Sequence, residues 1–173
     1  MEKIKATLIS EKIFSNTTEA QSLFSASRFG ERFGEKILYS LFETLFLVHN
    51  RKMEIFDFRD KLLSEKELLK KFERIDKKFK TKYIVFKDLR ERGYTVKTAL
   101  KFGAEFRVYE KGKKINQSHS KWICFPVSEN KQLTWQEFSA KNRVAHSTKK
   151  NLLIAVVDDE GSVSYYEVKW TRV

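Results

Sequence analysis

The spacing of apolar residues changes several times along the first half of the chain. Apolar residues recur in short runs near the start, along one helical stripe over 36–49, and in alternation over 53–58. Asn16 with Glu19 and Ser64 with Glu67 have the spacing of helix N-terminal caps. The predicted elements are short strands over 1–15, a helix over 16–27, a loop over 28–34, a helix over 36–49, a strand over 53–58 and a helix over 64–77.

The second half contains a longer succession of helices and strands. Gly93 is a helix-ending signal, and Thr134 with Glu137 forms another capping box. Residues 151–157 are an aliphatic run that is typical of a buried strand. The predicted elements are a helix over 83–92, strands over 94–101, 105–109 and 121–127, a helix over 134–148, and strands over 151–157 and 162–171.

Helices and strands in this mixed order predict an α+β protein with two small domains. The junction near 79–82 has no Pro- or Gly-rich linker, so the change of pattern alone places it there. We expect an N-terminal mixed domain over 1–79 and a C-terminal domain over 80–173. In the second domain we expect a central mixed sheet flanked by helices.

The composition indicates a folded chain with a basic surface. Its 173 residues are 41% hydrophobic and 34% charged, the formal net charge is +12, and the pI is near 9.7. From residue 80 onward there are 19 basic and 10 acidic residues, against 16 and 13 before it. This charge favours an anionic partner, above all a nucleic acid, and the second half is the better candidate to contact it.

Several classes of protein and site are disfavoured. Cys124 lies in an apolar run and is expected to be a buried thiol, and one cysteine gives no internal disulfide. The chain opens without the pattern of a signal peptide, and its most apolar run, 37–48, is too short to cross a bilayer. We therefore expect a cytoplasmic protein with no membrane partner. One Cys and three scattered His give no ligand cluster, so we expect no metal and no cofactor.

Five blocks of the second half carry a family resemblance. They are Tyr83–Tyr94, Val96–Tyr109, His119-Ser120, Arg143–Lys150 and Leu152–Asp158. In this order they closely resemble the archaeal tRNA-splicing endonuclease family, densely from about residue 83 onward and loosely before it. The resemblance implies a metal-independent nuclease that cuts precursor tRNA at bulge-helix-bulge intron junctions and leaves 2′,3′-cyclic phosphate and 5′-hydroxyl ends. It also implies a restriction-endonuclease-like fold for the catalytic C-terminal domain, and a structural or assembly role for the N-terminal one.

Three residues match the family's catalytic positions: Tyr109, His119 and Lys150, which the register of the Ser-Thr-Lys-Lys block favours over Lys149. A tyrosinate can take the proton of the attacking 2′-hydroxyl once nearby cations favour its charged form. An imidazole can protonate the leaving 5′-oxygen near neutral pH. An ammonium can stabilise the charge that grows on the phosphorus oxygens. Taken singly, each of these residue types is more often a packing, loop or helix-end residue.

The resemblance also implies residues for RNA binding. Arg143 matches an arginine that stacks on bulged nucleotides, and a guanidinium on a base is a sound mechanism. A second stacking residue is implied near the C-terminus, and Trp170 or Lys169 is the candidate.

Assembly is the last property that the resemblance implies. Asp158, Asp159 and Glu160 match a loop that docks into a basic cleft of a neighbouring subunit, although the same residues suit a hairpin turn. Excision of an intron takes two cuts, so two sites must be held at a fixed spacing. We expect a homotetramer, or a heterotetramer with a related structural subunit.

Two other functions are compatible with parts of the sequence. Glu167-Val168-Lys169, with Asp158 or Asp159 upstream, has the look of a metal-dependent, restriction-type nuclease, although so short a pattern is weak. A non-catalytic, RNA-binding structural subunit of the same complex is the other alternative. A subunit without activity has no need of all three catalytic residues, which favours the enzyme.

Overall fold

The computed structural model describes residues 2–112 and 119–171 of the chain. The chain divides into two compact units, Met1–Phe79 and Lys80–Val173. Each unit combines helices with a sheet that contains both parallel and antiparallel neighbours, which confirms the predicted α+β class. Among the described residues, no helix is long and apolar enough to span a membrane.

The first unit is built on a six-stranded sheet. Its elements are β1 (Ile4–Ile9), β2 (Lys12–Ser15), α1 (Thr18–Ser27), β3 (Glu31–Phe33), β4 (Lys36–Tyr39), α2 (Leu41–His49), β5 (Met53–Phe56), β6 (Leu62–Leu63) and α3 (Glu65–Ile75). The strand order is β3-β4-β2-β1-β5-β6, and only the β1–β5 pair is parallel. The core includes Phe79, whose ring stacks on Phe42 at 5.0 Å and tilts against Phe72 at 5.4 Å between ring centroids.

The prediction of a helix over 36–49 is wrong for residues 36–39. Residues 36–39 form β4, in which buried and less buried positions alternate as in a strand. The helix α2 begins only after Ser40, which is its N-cap and forms a capping box with Glu43. The predicted loop over 28–34 likewise contains β3. The cap of α1 is Thr17 rather than Asn16, whereas the capping box that opens α3 is confirmed.

Glu43 is a buried carboxylate that accepts hydrogen bonds from the turns around it. Only 4% of the residue is exposed. Its Oε2 accepts hydrogen bonds from the Ser40 backbone N–H at 3.0 Å and from the Ser40 hydroxyl at 2.9 Å, and its Oε1 accepts from the Gly30 N–H at 2.9 Å. The charge is therefore held by three donors, as a buried charge requires.

The second unit is built on a five-stranded sheet. Its elements are α4 (Phe79–Glu91), β7 (Thr95–Thr98), β8 (Phe106–Tyr109), β9 (Trp122–Ser128), α5 (Trp135–Ser147), β10 (Asn151–Val157) and β11 (Val163–Val168). The strand order is β11-β10-β9-β8-β7, with β9 parallel to β10 and the other pairs antiparallel. The predicted mixed sheet is confirmed. The predicted capping box of α5 is confirmed as well.

The two helices of the second unit contact opposite faces of its sheet. Ala145 of α5 packs with Ile123 and Leu152 in one apolar cluster. On the other face, Phe86 of α4 contacts Phe106 with 5.8 Å between ring centroids. The Cys124 side chain is fully buried, as predicted, and burial raises the pKa of its thiol. This thiol is an inert core group rather than a nucleophile.

Candidate active site

Three chain segments that carry the predicted catalytic residues meet at the backbone of Lys121. Its N–H donates to the Val108 carbonyl at 3.0 Å, and its carbonyl accepts from the Asn151 N–H at 3.0 Å. Val108 precedes Tyr109 at the end of β8, and Asn151 follows Lys150 at the start of β10. His119 lies two residues before Lys121. Because neighbouring strands are about 4.8 Å apart, the backbones of all three segments lie within about 10 Å at this edge of the sheet.

Tyr109 lies on the same face of the sheet as a pair of cations. Residues 107 and 109 of β8 point to one side because strand side chains alternate with a period of two. Lys97 of β7 is directly opposite Arg107, and Thr95 is opposite Tyr109. Tyr109 is 6% exposed and Lys97 is 8% exposed. The phenol is thus largely buried beside a cross-strand pair of basic residues.

The end of α5 fixes the position of Lys150. Lys149 has a left-handed backbone with φ of 55°. Its N–H donates to the His146 carbonyl at 3.0 Å, and the Lys150 N–H donates to the Ala145 carbonyl at 2.9 Å. This pair of bonds is a Schellman motif, with Lys149 at the position that usually holds glycine. The motif ends the helix and leads the chain from Lys150 directly into β10.

The side chain of Lys150 is held at the end of α5. Its Nζ donates to the Thr148 carbonyl at 2.8 Å, so the helix end orients the side chain. Burial lowers the pKa of Lys150, and the positive charge of Arg107 lowers it further. Lys149 is exposed, whereas Lys150 is partly buried. Of the two lysines, Lys150 is therefore the more enclosed and the one whose side chain the helix end orients.

His119 is exposed, next to buried Ser120. An exposed imidazole can exchange protons with solvent and approach a large ligand. The backbone junction at Lys121 keeps this histidine at the edge of the sheet where β8 and β10 meet. The structure thus brings the segments of Tyr109, His119 and Lys150 together.

A pocket of about 260 Å³ lies beside Lys150 at the C-terminal end of α5. Its lining includes His146, residues 149–151, Lys169 and Trp170. Trp170 is 54% exposed, and its indole contacts the His146 ring with 4.5 Å between centroids. Arg143, one turn before His146, is exposed. Both predicted stacking residues are thus accessible, and Trp170 belongs to the same pocket as Lys150.

The acidic loop between β10 and β11 is an ordered turn. The Asp158 Oδ1 accepts from the N–H groups of Glu160 and Ser162 at 3.0 and 2.8 Å. The Asp159 Oδ1 accepts from the Asn130 side chain at 2.9 Å. Asp159 and Glu160 are exposed. The turn therefore displays acids on a fixed scaffold, which suits both a hairpin and a docking loop.

The residues of the restriction-type alternative do not converge. Glu167 is opposite Leu153 in the hairpin of β10 and β11, whereas Asp158 lies in the turn at its far end. Asp158 lies five positions along the chain from Leu153, which corresponds to roughly 16 Å in a strand. Within residues 2–112 and 119–171, no group of three or more His, Cys, Asp or Glu side chains is placed to hold a metal ion.

Three residues near the site were not singled out from the sequence. Arg107 could have been found from the period of two that it shares with Tyr109 on β8. Lys97 could not, because only the pairing of β7 with β8 places it opposite Arg107. His146 lies in the block that ends at Lys150, but its contact with Trp170 joins a helix to the segment after β11.

Two family models and several known proteins match this chain. The family model "tRNA intron endonuclease, catalytic C-terminal domain" matches residues 79–165, and "tRNA intron endonuclease, N-terminal domain" matches residues 4–69. A tRNA-splicing endonuclease of Thermococcus gammatolerans is 40% identical over 166 residues, which cover 95% of this chain and 96% of that protein. One of Nanoarchaeum equitans is 42% identical over 83% of this chain and 98% of its own length. One of Methanococcus vannielii is 39% identical over 98% of this chain and 96% of its own length. This chain belongs to the tRNA intron endonuclease family.

Proposed function

We propose that the chain is a tRNA-splicing endonuclease that cuts precursor tRNA at bulge-helix-bulge intron junctions without a metal. Membership of the family supports the activity, and the excess of basic residues from residue 80 onward suits an RNA partner. The observation that carries the proposal is the junction at the backbone of Lys121, around which the segments of Tyr109, His119 and Lys150 lie.

The proposed reaction is an internal transesterification. The ribose 2′-oxygen forms a bond to phosphorus and transfers its proton to the Tyr109 phenolate. The bond from phosphorus to the 5′-oxygen breaks, and the protonated His119 imidazole donates its proton to that oxygen. Lys150 stabilises the negative charge on the non-bridging oxygens during the displacement. The products are a 2′,3′-cyclic phosphate and a 5′-hydroxyl.

Residues 80–173 carry this chemistry in our proposal, and residues 1–79 serve structure and assembly. Two cuts require two sites, so the chain would act as a homotetramer or in a heterotetramer with a related structural subunit. The exposed acids of the loop after β10 would dock into a basic cleft of a neighbouring subunit. Arg143 and Trp170 would stack on the bulged nucleotides.

The test is incubation of the chain alone with a bulge-helix-bulge RNA in EDTA, followed by analysis of both new ends. We expect cyclic phosphate and 5′-hydroxyl ends, and no cut when the nucleotide before the scissile phosphate is 2′-deoxy. Cleavage that needs Mg²⁺ and leaves other ends would support the restriction-type alternative. An inactive chain of measured mass that gains activity with a second subunit would support the heterotetramer.

A further inference from the structure

The solvent-facing side of α3 carries a row of cations in the first unit. Lys66, Lys70 and Arg74 follow one another at intervals of four residues, so they lie on one side of the helix over about 12 Å. All three residues are exposed. The opposite side of α3 contains Leu68 and Phe72, which are fully buried in the core of the first unit. We call the three cations the α3 basic row.

The acidic residues of α3 either pair with other elements or lie apart from the row. Glu65 Oε1 lies 2.9 Å from His49 Nδ1, and Glu67 Oε1 lies 2.8 Å from Lys61 Nζ. Glu73 is exposed. Within residues 2–112 and 119–171, neither Glu73 nor any other carboxylate forms an ion pair with the row. The charges of the α3 basic row are therefore accessible to a partner.

The stability of α3 does not require this row. Like charges four residues apart destabilise a helix, and the row contains two such pairs, Lys66 with Lys70 and Lys70 with Arg74. The helix dipole favours Arg74 in the last turn, but it disfavours Lys66 in the first turn. A negatively charged partner would offset both unfavourable effects.

The phosphodiester backbone of a nucleic acid is the partner that fits this surface best. It carries regularly spaced negative charges, which lysine and arginine contact without reading the sequence. A membrane surface would need an apolar helix face beside the charges, but Leu68 and Phe72 are buried inside the unit. The core of a protein interface is depleted of lysine and enriched in aromatic side chains, and the row contains no aromatic residue.

We propose that the α3 basic row binds the phosphodiester backbone of the RNA substrate. The first unit then contributes to RNA binding, a role that goes beyond the structure and assembly proposed for residues 1–79. The row lies in a different unit of the chain from Tyr109, His119 and Lys150, so it contributes affinity rather than chemistry. The identity of the ligand as precursor tRNA rests on the proposed function, whereas the contact with phosphates does not.

The first experiment measures how RNA binding depends on salt, without cleavage. The probe is a precursor tRNA that is 2′-deoxy at the nucleotide before each scissile phosphate, in EDTA. The row variant combines Lys66→Gln, Lys70→Gln and Arg74→Gln. Each lost phosphate contact removes about 0.7–0.9 from the steepness of the fall of log binding constant with log salt concentration. We expect the row variant to be less steep than the unaltered chain by about 2.

The control variant removes the same charge from the strands of the same unit. It combines Lys5→Gln, Lys12→Gln and Lys52→Gln, which replace exposed lysines in β1, in β2 and directly before β5. This variant should keep the salt dependence of the unaltered chain. An unchanged salt dependence in the row variant would overturn the proposal, because the row would then be only a solvated surface. Equal losses in both variants would also overturn it, because net charge alone would explain them.

The second experiment measures cleavage of the same precursor tRNA with its 2′-hydroxyl groups in place. The RNA concentration that gives half the maximal single-turnover rate should rise about tenfold in the row variant at 0.15 M salt. The loss should appear in this concentration rather than in the rate at saturating RNA. A loss confined to the rate at saturating RNA would contradict the proposal.

Together the two experiments distinguish failure of this proposal from failure of the proposed function. If the salt dependences differ as expected but the unaltered chain cuts no RNA, the proposed function fails and the contact with RNA stands. If the unaltered chain cuts the RNA and the row variant has the same salt dependence, only the contact fails. A change in the mass of the assembly without a change in salt dependence would assign the row to a contact between subunits and overturn the proposal.

Discussion

The two units of the chain differ in what lies beside their buried ionisable side chains. In the first unit, three groups donate hydrogen bonds to the buried carboxylate of Glu43. In the second unit, the buried Lys97 is opposite Arg107 on the sheet face that also carries Tyr109. A carboxylate held by donors of its own turn suits a structural role, whereas neighbouring basic residues suit an anionic partner. The comparison supports our proposal that the second unit carries the chemistry.

The largest expected effect tests whether the second unit carries the chemistry. We predict that His119→Ala slows cleavage of a bulge-helix-bulge RNA by about 10²- to 10⁴-fold, because a general acid typically contributes that much. RNA binding should survive, since His119 is exposed and contributes little to packing. Single-turnover rates and a filter-binding assay would measure both properties. An unchanged cleavage rate would remove His119 from the mechanism.

The second prediction separates two adjacent lysines. Lys150→Ala should lower the cleavage rate by about 10²- to 10³-fold, as expected for loss of a charge at the developing oxyanion. Lys149→Ala, its matched control, should stay within a few-fold of the unaltered chain, because Lys149 is exposed at the helix end. Equal losses in both variants would show that the lysines act only through general attraction of RNA.

The lowered pKa of Lys150 should also make the free energy of unfolding depend on pH. Burial and the charge of Arg107 lower the pKa of Lys150 in the folded chain below the ordinary lysine value of 10.5. As the pH rises through that lowered pKa toward 10.5, the folded state loses its proton before the unfolded state does. The contribution of Lys150 to the free energy of unfolding therefore increases over this pH range. Lys150→Met should lose this increase, so its free energy of unfolding should rise less with pH than that of the unaltered chain. Urea titrations at several alkaline pH values would measure the difference.

The fourth prediction concerns the buried carboxylate of Glu43 in the first unit. Glu43→Gln should lower the free energy of unfolding by about 1–3 kcal/mol, because the amide cannot accept all the bonds that the carboxylate accepts. Glu54→Gln is the control: Glu54 pairs with Lys3 at the surface, and such pairs contribute about 0–1 kcal/mol. Cleavage per folded molecule should not change. A lower cleavage rate in a folded Glu43→Gln variant would contradict the purely structural role of Glu43.

The extent to which the sequence predicts the molecule differs from one element to the next. In the second unit, α5 and β10 have the predicted limits within one residue, but α4 begins at Phe79 rather than at 83, and a 3₁₀ helix, Leu100–Phe102, replaces the end of the strand predicted over 94–101. The same reasoning fails at residues 36–39, where the apolar stripe of a helix and the alternation of a strand share the same residues. The capping box of Ser40 with Glu43 distinguishes the strand from the helix, because it opens a helix directly after Ser40 and leaves residues 36–39 outside that helix.

The candidate site was predictable only in part, for a related reason. Tyr109, His119 and Lys150 lie within recognisable local patterns, so the sequence alone could nominate them. The pairing of Lys97 with Arg107 depends on which strand lies beside β8. No fixed spacing along the sequence predicts such pairing between strands. Local motifs therefore nominate candidate reacting groups, whereas the residues that lie beside them across the sheet can be found only from the fold.

The smallest expected effect concerns the turn that presents Lys150. Lys149 adopts a left-handed backbone that glycine adopts without strain. Lys149→Gly should therefore raise the free energy of unfolding by about 0.5–1 kcal/mol. Ala140→Gly, an exposed position within α5, should lower it by about 1 kcal/mol, because glycine is a poor helix former there. If the Schellman motif positions Lys150, the first variant should cleave RNA at an undiminished rate. A loss of activity in a stabilised Lys149→Gly variant would mean that the Lys149 side chain, and not only its backbone, serves the site.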